Sequence, residues 1–324
     1  MGARRIEAAP IDLSGVRTTS LYGRKSKVGV DGFAKPWRPG GRLSQFMDRL
    51  PSVLAAADLR RAVSAIAEAV RGERTVLLGM GAHPIKLGLN PILIDAMERG
   101  LLSGLALNGA CIIHDVEIAL AGKTSEDVAA HLGRGEFGMA RETAEFIHGA
   151  VSAAAAGTAP IGLGRAVGEA ILAKAAPRSD CSILAAAARL GIPATVHVAI
   201  GTDIIHMHPA MDGAATGALS HHDFRVLCSA VSTLQRGVFL NLGSAVIIPE
   251  VFLKAVSVVN NLGFSLDGLT AVNMDFQRQY RPQVNVVTRP TLGGGTGINL
   301  VGHHEIMFPL LVAAVLDRLD EETP

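Results

Sequence analysis

The sequence predicts an α/β fold in which helices cover both faces of a doubly wound, mainly parallel sheet. Short apolar runs alternate along the chain with longer stretches of helical periodicity, the pattern of repeated strand–helix units. Several runs are apolar at every position, as expected of strands covered on both faces. Glycine makes up 36 of the 324 residues, an excess that suits tight turns and close backbone approaches.

The predicted strands are short runs of aliphatic residues that end at a glycine or a polar residue. They cover residues 75–79, 104–109, 195–200, 237–243, 269–274 and 284–287. The predicted helices have apolar residues at helical spacing or are rich in alanine. They cover residues 55–70, 91–99, 140–156, 164–175, 180–190, 224–234, 249–259 and 306–319. Gly100 ends the second helix, and the stretch from Thr124 to Asp127 resembles a helix N-terminal cap.

Composition excludes several classes of protein. Hydrophobic residues make up 49% of the chain and the mean hydropathy is +0.34, which excludes a mainly disordered state. A net charge of +1 argues against a dedicated nucleic-acid binder. The three cysteines show no metal-finger or CxxC spacing, so we expect buried free thiols in a reducing cytosol. No secretory signal or membrane span is recognised, and we expect a cytoplasmic protein.

Two regions differ in character. Residues 1–42 carry many basic residues and glycines without a sustained period, and we interpret them as an N-terminal arm. This arm is either a loosely packed tail or a segment that packs on a neighbouring subunit. Residues 43–324 show no linker and no internal repeat, so they are expected to form a single domain.

In an open α/β sheet, ligands bind beyond the carboxyl ends of the strands. Glycine follows most of the predicted strands, where backbone N–H groups can approach a phosphate closely. A nucleotide site and simple turns both explain these glycines, and the GxGxxG fingerprint is absent after the first strand.

Histidines and acids near the strand ends are further candidates. On a strand continuation, His206 and His208 would share one face and, with Asp203, could line a polar pocket or hold a metal; we favour the pocket and predict no metal site. The pair His303–His304 is either a helix cap or a ligand contact. His221 is expected at a helix start.

Several longer motifs resemble the deoxyhypusine synthase family, including its bacterial synthase-like members, over most of the chain. They are GVDGFAKP (29–36), GMGAHPIKLGLNPILIDAMERG (79–100), LALNGACIIHDVEIALAGKTSEDV (105–128), GRGEFGM (133–139), IGTDIIHMH (200–208), LNLGSA (240–245), LTAVNMDF (269–276) and MFPLLVA (307–313). The resemblance implies a Rossmann-like, NAD-binding α/β fold. It also implies a homotetramer with active sites between subunits.

Members of this family oxidise spermidine with NAD and pass its aminobutyl group to an amine through an imine on an active-site lysine. The resemblance implies that Asp203 and Asp275 hold the polyamine. The cofactor contacts that it implies are Ala82, His83, Asn108, Gly109, Asp115, Gly243, Ser244, Ala245, Thr270, Ala271 and His303.

The transfer half of the family's site is not conserved in this chain. The position of the imine-forming lysine is Pro290, and no lysine follows Lys254. The family's histidine falls near Glu250, and its tryptophan falls on Thr288. The glycine-rich loop at 293–297 has no counterpart in the family. The family's lysine–imine route is therefore not expected here.

These observations lead to one main hypothesis and two alternatives. The main hypothesis is an NAD-dependent enzyme that oxidises a small amine or polyamine-like substrate; whether aminoalkyl transfer follows the oxidation is left open. Asp203 and Asp275 would orient the substrate, and Glu250 or His206 would be the general base. One alternative is a non-catalytic nucleotide-binding relative with a regulatory or scaffold role. The other is a transferase that holds a phosphorylated substrate at the 293–297 loop. Lys86 is expected to be structural or to pair with a phosphate.

Overall fold

The computed structural model describes residues 2–321. Six strands form one sheet: β1 (Val76–Met80), β2 (Gly104–Asn108), β3 (Ala194–His197), β4 (Val238–Leu242), β5 (Thr270–Asp275) and β6 (Thr296–Val301). Every neighbouring pair is parallel, and the spatial order is β3-β2-β1-β4-β5-β6. The strand order therefore reverses between β1 and β4, and the doubly wound parallel sheet predicted from the sequence is confirmed.

The longer helices are α1 (Leu54–Arg71), α2 (Asn90–Glu98), α3 (Gly109–Ala121), α4 (Arg141–Ala156), α5 (Leu163–Ala173), α6 (Ile183–Leu190), α7 (Gly213–Val231), α8 (Ile247–Asn261) and α9 (His304–Glu321). Shorter helices span Leu43–Met47, His83–Lys86, Val128–Leu132 and Tyr280–Pro282. Single 3₁₀ turns span Leu21–Gly23, Val30–Gly32, Ser179–Cys181, Ile204–Met207 and Arg289–Thr291. In the described residues, none of the helices has both the length and the hydropathy to cross a bilayer.

Strand residues alternate between two apolar clusters, one on each face of the sheet. Leu78 packs in the larger cluster with α1, α2 and α9. Its neighbour Leu77 packs in the smaller cluster with α7 and α8. This double burial explains why the strands read as continuous apolar runs, because neither face meets water.

Two predictions near the end of the sheet are wrong. The apolar run at 284–287 is not a strand; Gln283–Thr288 forms a π-helical segment that buries Val286 against the sheet. Such short apolar runs do not distinguish strand from helix. The glycine-rich stretch at 293–297 instead leads into β6, which the sequence did not predict. A Cβ on Gly297 would lie 2.3 Å from the Val287 carbonyl oxygen, so glycine allows the strand and the π-helical segment to meet.

Other boundaries shift in ways with clear local causes. The predicted helix at 224–234 begins eleven residues earlier, at Gly213, because the Asp212 side chain caps it by accepting from the Ala215 N–H. His221 therefore lies inside α7 and not at its start. A helix does begin after the predicted cap at 124–127, but the capping residue is Asp127, which accepts from the Ala130 N–H before the helix Val128–Leu132, and not Thr124 or Ser125.

The N-terminal region is exposed almost throughout residues 2–42 and contains only two single 3₁₀ turns and the loops between them. Its role as an arm that packs on a neighbouring subunit stays a prediction. Among the cysteines, Cys111 is buried whereas Cys181 and Cys228 are half-buried, and all three are free thiols. The expectation of buried thiols therefore holds fully only for Cys111.

Candidate functional site

The two central strands meet closely at the carboxyl edge of the sheet. Gly81 follows β1 and Gly243 follows β4, and the Gly81 N–H donates to the Leu242 carbonyl at 3.3 Å. A Cβ on Gly81 would lie 2.9 Å from the Gly243 carbonyl oxygen, too close for any real side chain. This is the point where the strand order reverses, the usual ligand crevice of an open parallel sheet.

The turn at residues 243–245 is held in a fixed shape. Gly243 has a φ of +66°, and a Cβ there would lie 2.6 Å from the His304 ring. Ser244 lies before α8, and its hydroxyl accepts from the Ile248 N–H in the first turn of that helix. The buried amide of Asn241 donates to the Ser244 carbonyl and to Asn273 on the neighbouring strand. The backbone at this edge is therefore rigid and unobstructed by side chains.

Four rings surround the carboxyl end of β5. The rings of His83 and His304 lie 5.4 Å apart between centroids, and each lies 5.9 Å from the ring of Phe276. The His303 ring is parallel to that of Phe276, 7° out of plane at 6.5 Å. Phe276, His83 and His303 are exposed. These rings offer flat surfaces on which a planar ligand could stack.

Asp275 and His304 form a buried pair among these rings. Asp275 Oδ1 lies 3.6 Å from Nε2 of His304, and both side chains are almost fully buried. Burial lowers the pKa of His304, whereas the Asp275 charge opposes that shift. Neither ring nitrogen of His304 has a hydrogen-bond partner within the described residues. The imidazole is therefore held neutral close to neutral pH.

A second group lies at the start of α3, after β2. The Asp203 carboxylate covers Gly109: a Cβ on that glycine would lie 2.0 Å from Asp203 Oδ2. His206 Nε2 lies 4.0 Å from the same oxygen, and both side chains are more than nine-tenths buried. Among residues 2–321, Oδ2 of Asp203 and Nε2 of His206 find no hydrogen-bond partner. Burial raises the pKa of Asp203, and the nearby His206 opposes that shift.

A cavity of about 180 Å³ opens beside Asp203. Its charged or titratable lining residues are Lys86, His114, Glu117, Glu126 and Asp203. Three carboxyl groups thus face one lysine and one histidine. Glu126 accepts from the Gly138 N–H at 2.8 Å, and Glu117 accepts from neighbouring hydroxyl groups, so Asp203 is the acid whose charge is least compensated. The cavity favours a small cation.

Most of the predicted cofactor contacts lie at the carboxyl edge of the sheet, in two sets. Gly243, Ser244 and Ala245 lie with His83 and His303 at the crevice between β1 and β4, and Ala82 precedes His83 in the loop after β1. Asn108 and Gly109 lie at the start of α3, where the Asp203 carboxylate would repel a phosphate. Asn108 also caps α3, since its side-chain oxygen accepts from the Cys111 N–H.

Three predicted contacts are not brought to this edge. Asp115 is fully buried, and its carboxylate accepts from Ser182, from Asn90 and from the N–H groups of Ile183 and Leu184, which caps α6. Burial raises the pKa of Asp115 to about 6, against the effect of these bonds. Thr270 and Ala271 begin β5 and therefore lie at the opposite edge of the sheet from Asp275.

Glu250 is poorly suited to act as a general base. It accepts hydrogen bonds from Lys254 and Asn285 and lies 3.3 Å from the Arg281 guanidinium. The hydrogen bond from Lys254 is the main cause that lowers the pKa of Glu250, so the carboxylate holds a proton weakly. Pro290 lies in the turn Arg289–Thr291 before β6, on the amino side of the sheet. The 293–297 loop precedes β6 on that side, so it is far from the crevice.

The expected placement of His206 and His208 is wrong. Both follow β3 in or after the 3₁₀ turn Ile204–Met207, because the strand ends at His197. His206 turns toward Asp203, whereas His208 stacks on His148 at 5.8 Å. Over residues 2–321, no group of three or more His, Cys, Asp or Glu side chains is placed to hold a metal ion.

Sequence reasoning missed one hydrogen-bonded set of residues in the cavity wall: His114, Glu117 and Thr124. His114 and Glu117 are three residues apart on α3, so they lie on one helix face. This spacing was visible in the sequence. The contact with Thr124, which the sequence suggested only as part of a helix cap, depends on how the loop after α3 folds back.

Comparison with solved structures supports the fold. A putative deoxyhypusine synthase from Entamoeba histolytica matches with a TM-score of 0.50 and 12% identity, over 87% of this chain and 95% of that chain. Unliganded AgrE matches with a TM-score of 0.51 and 16% identity, over 85% of this chain and 35% of AgrE. The ternary complex of AgrE with ornithine and NAD+ matches with a TM-score of 0.50 and 15% identity, over 82% and 33%.

The chain thus spans about a third of the length of AgrE and nearly all of the putative synthase. No family model matches the sequence, and no curated protein matches it significantly. At these identities the likeness concerns the fold, and it agrees with the motifs of the sequence. The chain is a divergent protein with the deoxyhypusine synthase-like fold.

Proposed function

We propose that the protein is an NAD-dependent enzyme that oxidises a small cationic amine, with the ammonium group of the amine bound at Asp203. The observation that carries the proposal is the uncompensated carboxylate of Asp203. The side chain is buried, Oδ2 has no hydrogen-bond partner among residues 2–321, and Asp203 lines a cavity with an excess of acids. A buried charge of this kind is costly unless a counter-ion pairs with it. An ammonium group supplies that charge together with hydrogen-bond donors.

The cavity limits the size of the amine. At about 180 Å³ it is smaller than the usual pocket for a drug-sized ligand, so it suits a small amine. A short diamine such as putrescine is one such amine. Lys86 in the same wall would repel a second ammonium group placed beside it, so the far end of a diamine would point toward Glu117 and Glu126.

The cofactor side of the proposal rests on the crevice between β1 and β4. Gly81 and Gly243 leave the backbone open there, and the rings of His83, Phe276 and His303 offer stacking surfaces. These residues fit a dinucleotide, which needs close backbone approach for its phosphates and flat contacts for its rings. NAD bound in this crevice would supply a hydride acceptor.

The two ligand positions are neighbours. The amine cavity follows β2 and the crevice follows β1, and adjacent strands lie about 4.8 Å apart. Asp203 would hold the ammonium group, while the buried pair Asp275 and His304 would shape the base of the crevice. Since Pro290 takes the place of the family's lysine, any aminoalkyl transfer would be a direct attack by the acceptor amine on the oxidised substrate.

The test is NADH formation with a panel of small amines, including putrescine and spermidine, measured for the wild type and for Asp203→Asn. We expect turnover with at least one amine in the wild type. We expect the Asn variant to bind NAD normally and to lose amine affinity, because the neutral amide cannot pair with the ammonium charge. Turnover that survives unchanged in Asp203→Asn would contradict the assignment of Asp203.

The same panel distinguishes the competing hypothesis of a non-catalytic relative. A folded protein that binds NAD but reduces none of it with any amine supports a regulatory or scaffold role. Asp95→Asn is a matched control, because Asp95 is a half-exposed acid of α2 that pairs with Arg99 one turn further along the same helix surface. This variant should behave as the wild type in every assay.

A further inference from the structure

Three side chains in the wall of the amine cavity form a hydrogen-bonded chain. Nδ1 of His114 lies 2.6 Å from the hydroxyl oxygen of Thr124, and that hydroxyl also bonds Glu117 Oε2. Nδ1 of His114 is 3.8 Å from the same carboxylate oxygen. The Thr143 hydroxyl donates to the other oxygen of Glu117 at 3.3 Å. The Glu117 carboxylate is therefore held by two hydroxyl groups. One of them, that of Thr124, also contacts His114.

The direction of each bond in the chain can be assigned. Burial raises the pKa of Glu117, but the bonds from His114, Thr124 and Thr143 outweigh burial, so the net shift is downward. Glu117 is therefore ionised near neutral pH and only accepts hydrogen bonds. The Thr124 proton points to Glu117, so the Thr124 oxygen accepts the bond from His114. In the chain His114 therefore donates from Nδ1, and in the neutral ring this tautomer leaves the lone pair on Nε2.

That lone pair is available to a ligand. The His114 ring lines the cavity together with Asp203, and Nε2 takes no hydrogen bond from any residue between 2 and 321. The other charged groups that face the cavity are Lys86, Glu117 and Glu126. Asp203 and His114 thus line the same cavity, and Nε2 is the ring atom of His114 that remains without a hydrogen-bond partner among residues 2–321. Neither Glu250 nor His206 offers that combination.

We propose that His114 is the proton acceptor for the bound amine and that Thr124 and Glu117 are its positioning residues. This inference rests on the proposed function for the identity of the ligand. An N–H bond of the ammonium group breaks, the proton goes to Nε2, and the electron pair stays on nitrogen. With NAD bound in the crevice to accept hydride from the neighbouring carbon, that pair would form the C=N bond. The imidazolium is then stabilised by Glu117 through the Thr124 hydroxyl.

The timing of the transfer follows from the basicities of the two groups. An alkylamine holds its proton more tightly than an imidazole, as lysine and histidine side chains illustrate. In the resting complex the proton therefore stays on the amine, which donates a hydrogen bond to Nε2. It moves to His114 only when loss of hydride makes the nitrogen acidic. Amine binding alone should thus depend on Asp203 and hardly on His114.

The first experiment measures the tautomer of His114 by NMR of isotope-labelled histidine side chains, without any ligand. His114→Gln assigns the signal by its loss. The wild type should show the Nδ1–H form. Thr124→Val should lose this preference and Thr124→Ser should keep it, because serine retains the hydroxyl. Thr143→Val is the matched control: it removes a bond to Glu117 outside the chain and should leave the tautomer unchanged.

An Nε2–H form in the wild type, or a Thr124→Val spectrum identical to it, would overturn the inference. Because this measurement needs no ligand, it is independent of the proposed function. If putrescine does not bind, that result counts against the proposed function alone. The tautomer of His114 still decides whether Thr124 and Glu117 position its ring.

The second experiment separates binding from reaction, using the amine that turns over. His114→Gln should lower the rate of NADH formation about 10²–10⁴-fold, the usual contribution of a positioned acid or base. Its amine dissociation constant should change little. Thr124→Val should lie between His114→Gln and the wild type, and Thr124→Ser should recover most of the rate. Equal losses of affinity and rate in His114→Gln would overturn the assignment, because they indicate a binding role.

Discussion

The carboxylate of Asp203 lies directly over Gly109, so that a Cβ on the glycine would meet Asp203 Oδ2 at 2.0 Å. The first residue of α3 is therefore a glycine because an acid from the loop after β3 occupies the space of its side chain. This contact joins the amine cavity to the helix that carries His114. It also explains why the start of α3 does not suit a phosphate.

Gly109→Ala should displace Asp203 and weaken amine binding while NAD binding persists. We expect a loss of amine affinity of at least tenfold, because the carboxylate must move by more than 1 Å to restore ordinary contact distances. Calorimetric titration with the amine and with NAD measures both effects.

Gly217→Ala provides the matched control for that experiment. Gly217 lies within α7, and a Cβ there meets nothing within 4 Å. This variant should bind both ligands normally and gain up to about 1 kcal/mol of stability from the better helix former. Amine affinity unchanged in Gly109→Ala would contradict the packing of Asp203 on that glycine.

Phe276 is expected to support a ring of the cofactor. Phe276→Ala should weaken NAD binding by about 0.5–1.5 kcal/mol, the usual contribution of one aromatic contact, and Phe276→Tyr should retain the affinity. Leu292→Ala is the control, because Leu292 is an exposed apolar residue before β6, on the amino side of the sheet. If Phe276→Ala binds NAD as tightly as the control, the ring cluster is not part of the cofactor site.

Asp115 is expected to act on stability and not on the cofactor. In the wild type, two N–H donors of α6 meet the carboxylate oxygens of Asp115. In Asp115→Asn one of these oxygens is replaced by an NH₂ group, which cannot accept. This change should lower the free energy of unfolding by about 2–3 kcal/mol. Chemical denaturation measures this loss. A variant that unfolds like the wild type but binds NAD more weakly would favour the cofactor contact that the family resemblance implies.

His197 should make the protein less stable in acid. Burial lowers the pKa of His197 from 6.5 to about 4, so the folded protein holds it neutral where the unfolded chain would protonate it. The contribution of the neutral His197 ring to the free energy of unfolding is present in full above pH 6.5 and is lost as the pH falls toward 4. At about 1.4 kcal/mol per pKa unit, the loss amounts to about 3 kcal/mol. His197→Gln should remove this loss of stability in acid. An unfolding free energy that depends equally on pH in both proteins would contradict the assignment.

The sequence predicts the sheet well because the strands are buried on both faces, and their apolar runs record that burial directly. It misplaces the segment around Val286 because three apolar residues carry no period, and it misses β6 because the glycines that allow close packing on Val287 read as a loop. The element type there is decided by contacts distant in the chain.

The candidate site was predicted in part for a similar reason. Residues that follow strands, such as Asp203 and Gly243, could be placed because parallel strands end at one edge. Glu250 could not be placed, since its role depends on Lys254 in its own helix and on Arg281, which the segment after β5 brings to it. The link from His114 through Thr124 depends on a loop that folds back on α3, which no pattern in the sequence specifies.

Calorimetric titration of the purified, ligand-stripped protein with NAD+ tests the central claim most directly. The account predicts saturable binding that Gly243→Ala weakens, because a methyl group there would press on the His304 ring beside the crevice. NAD+ binding should persist in Asp203→Asn, since Asp203 is proposed to bind the amine and not the cofactor. Absence of NAD binding by the folded wild-type protein would contradict the account.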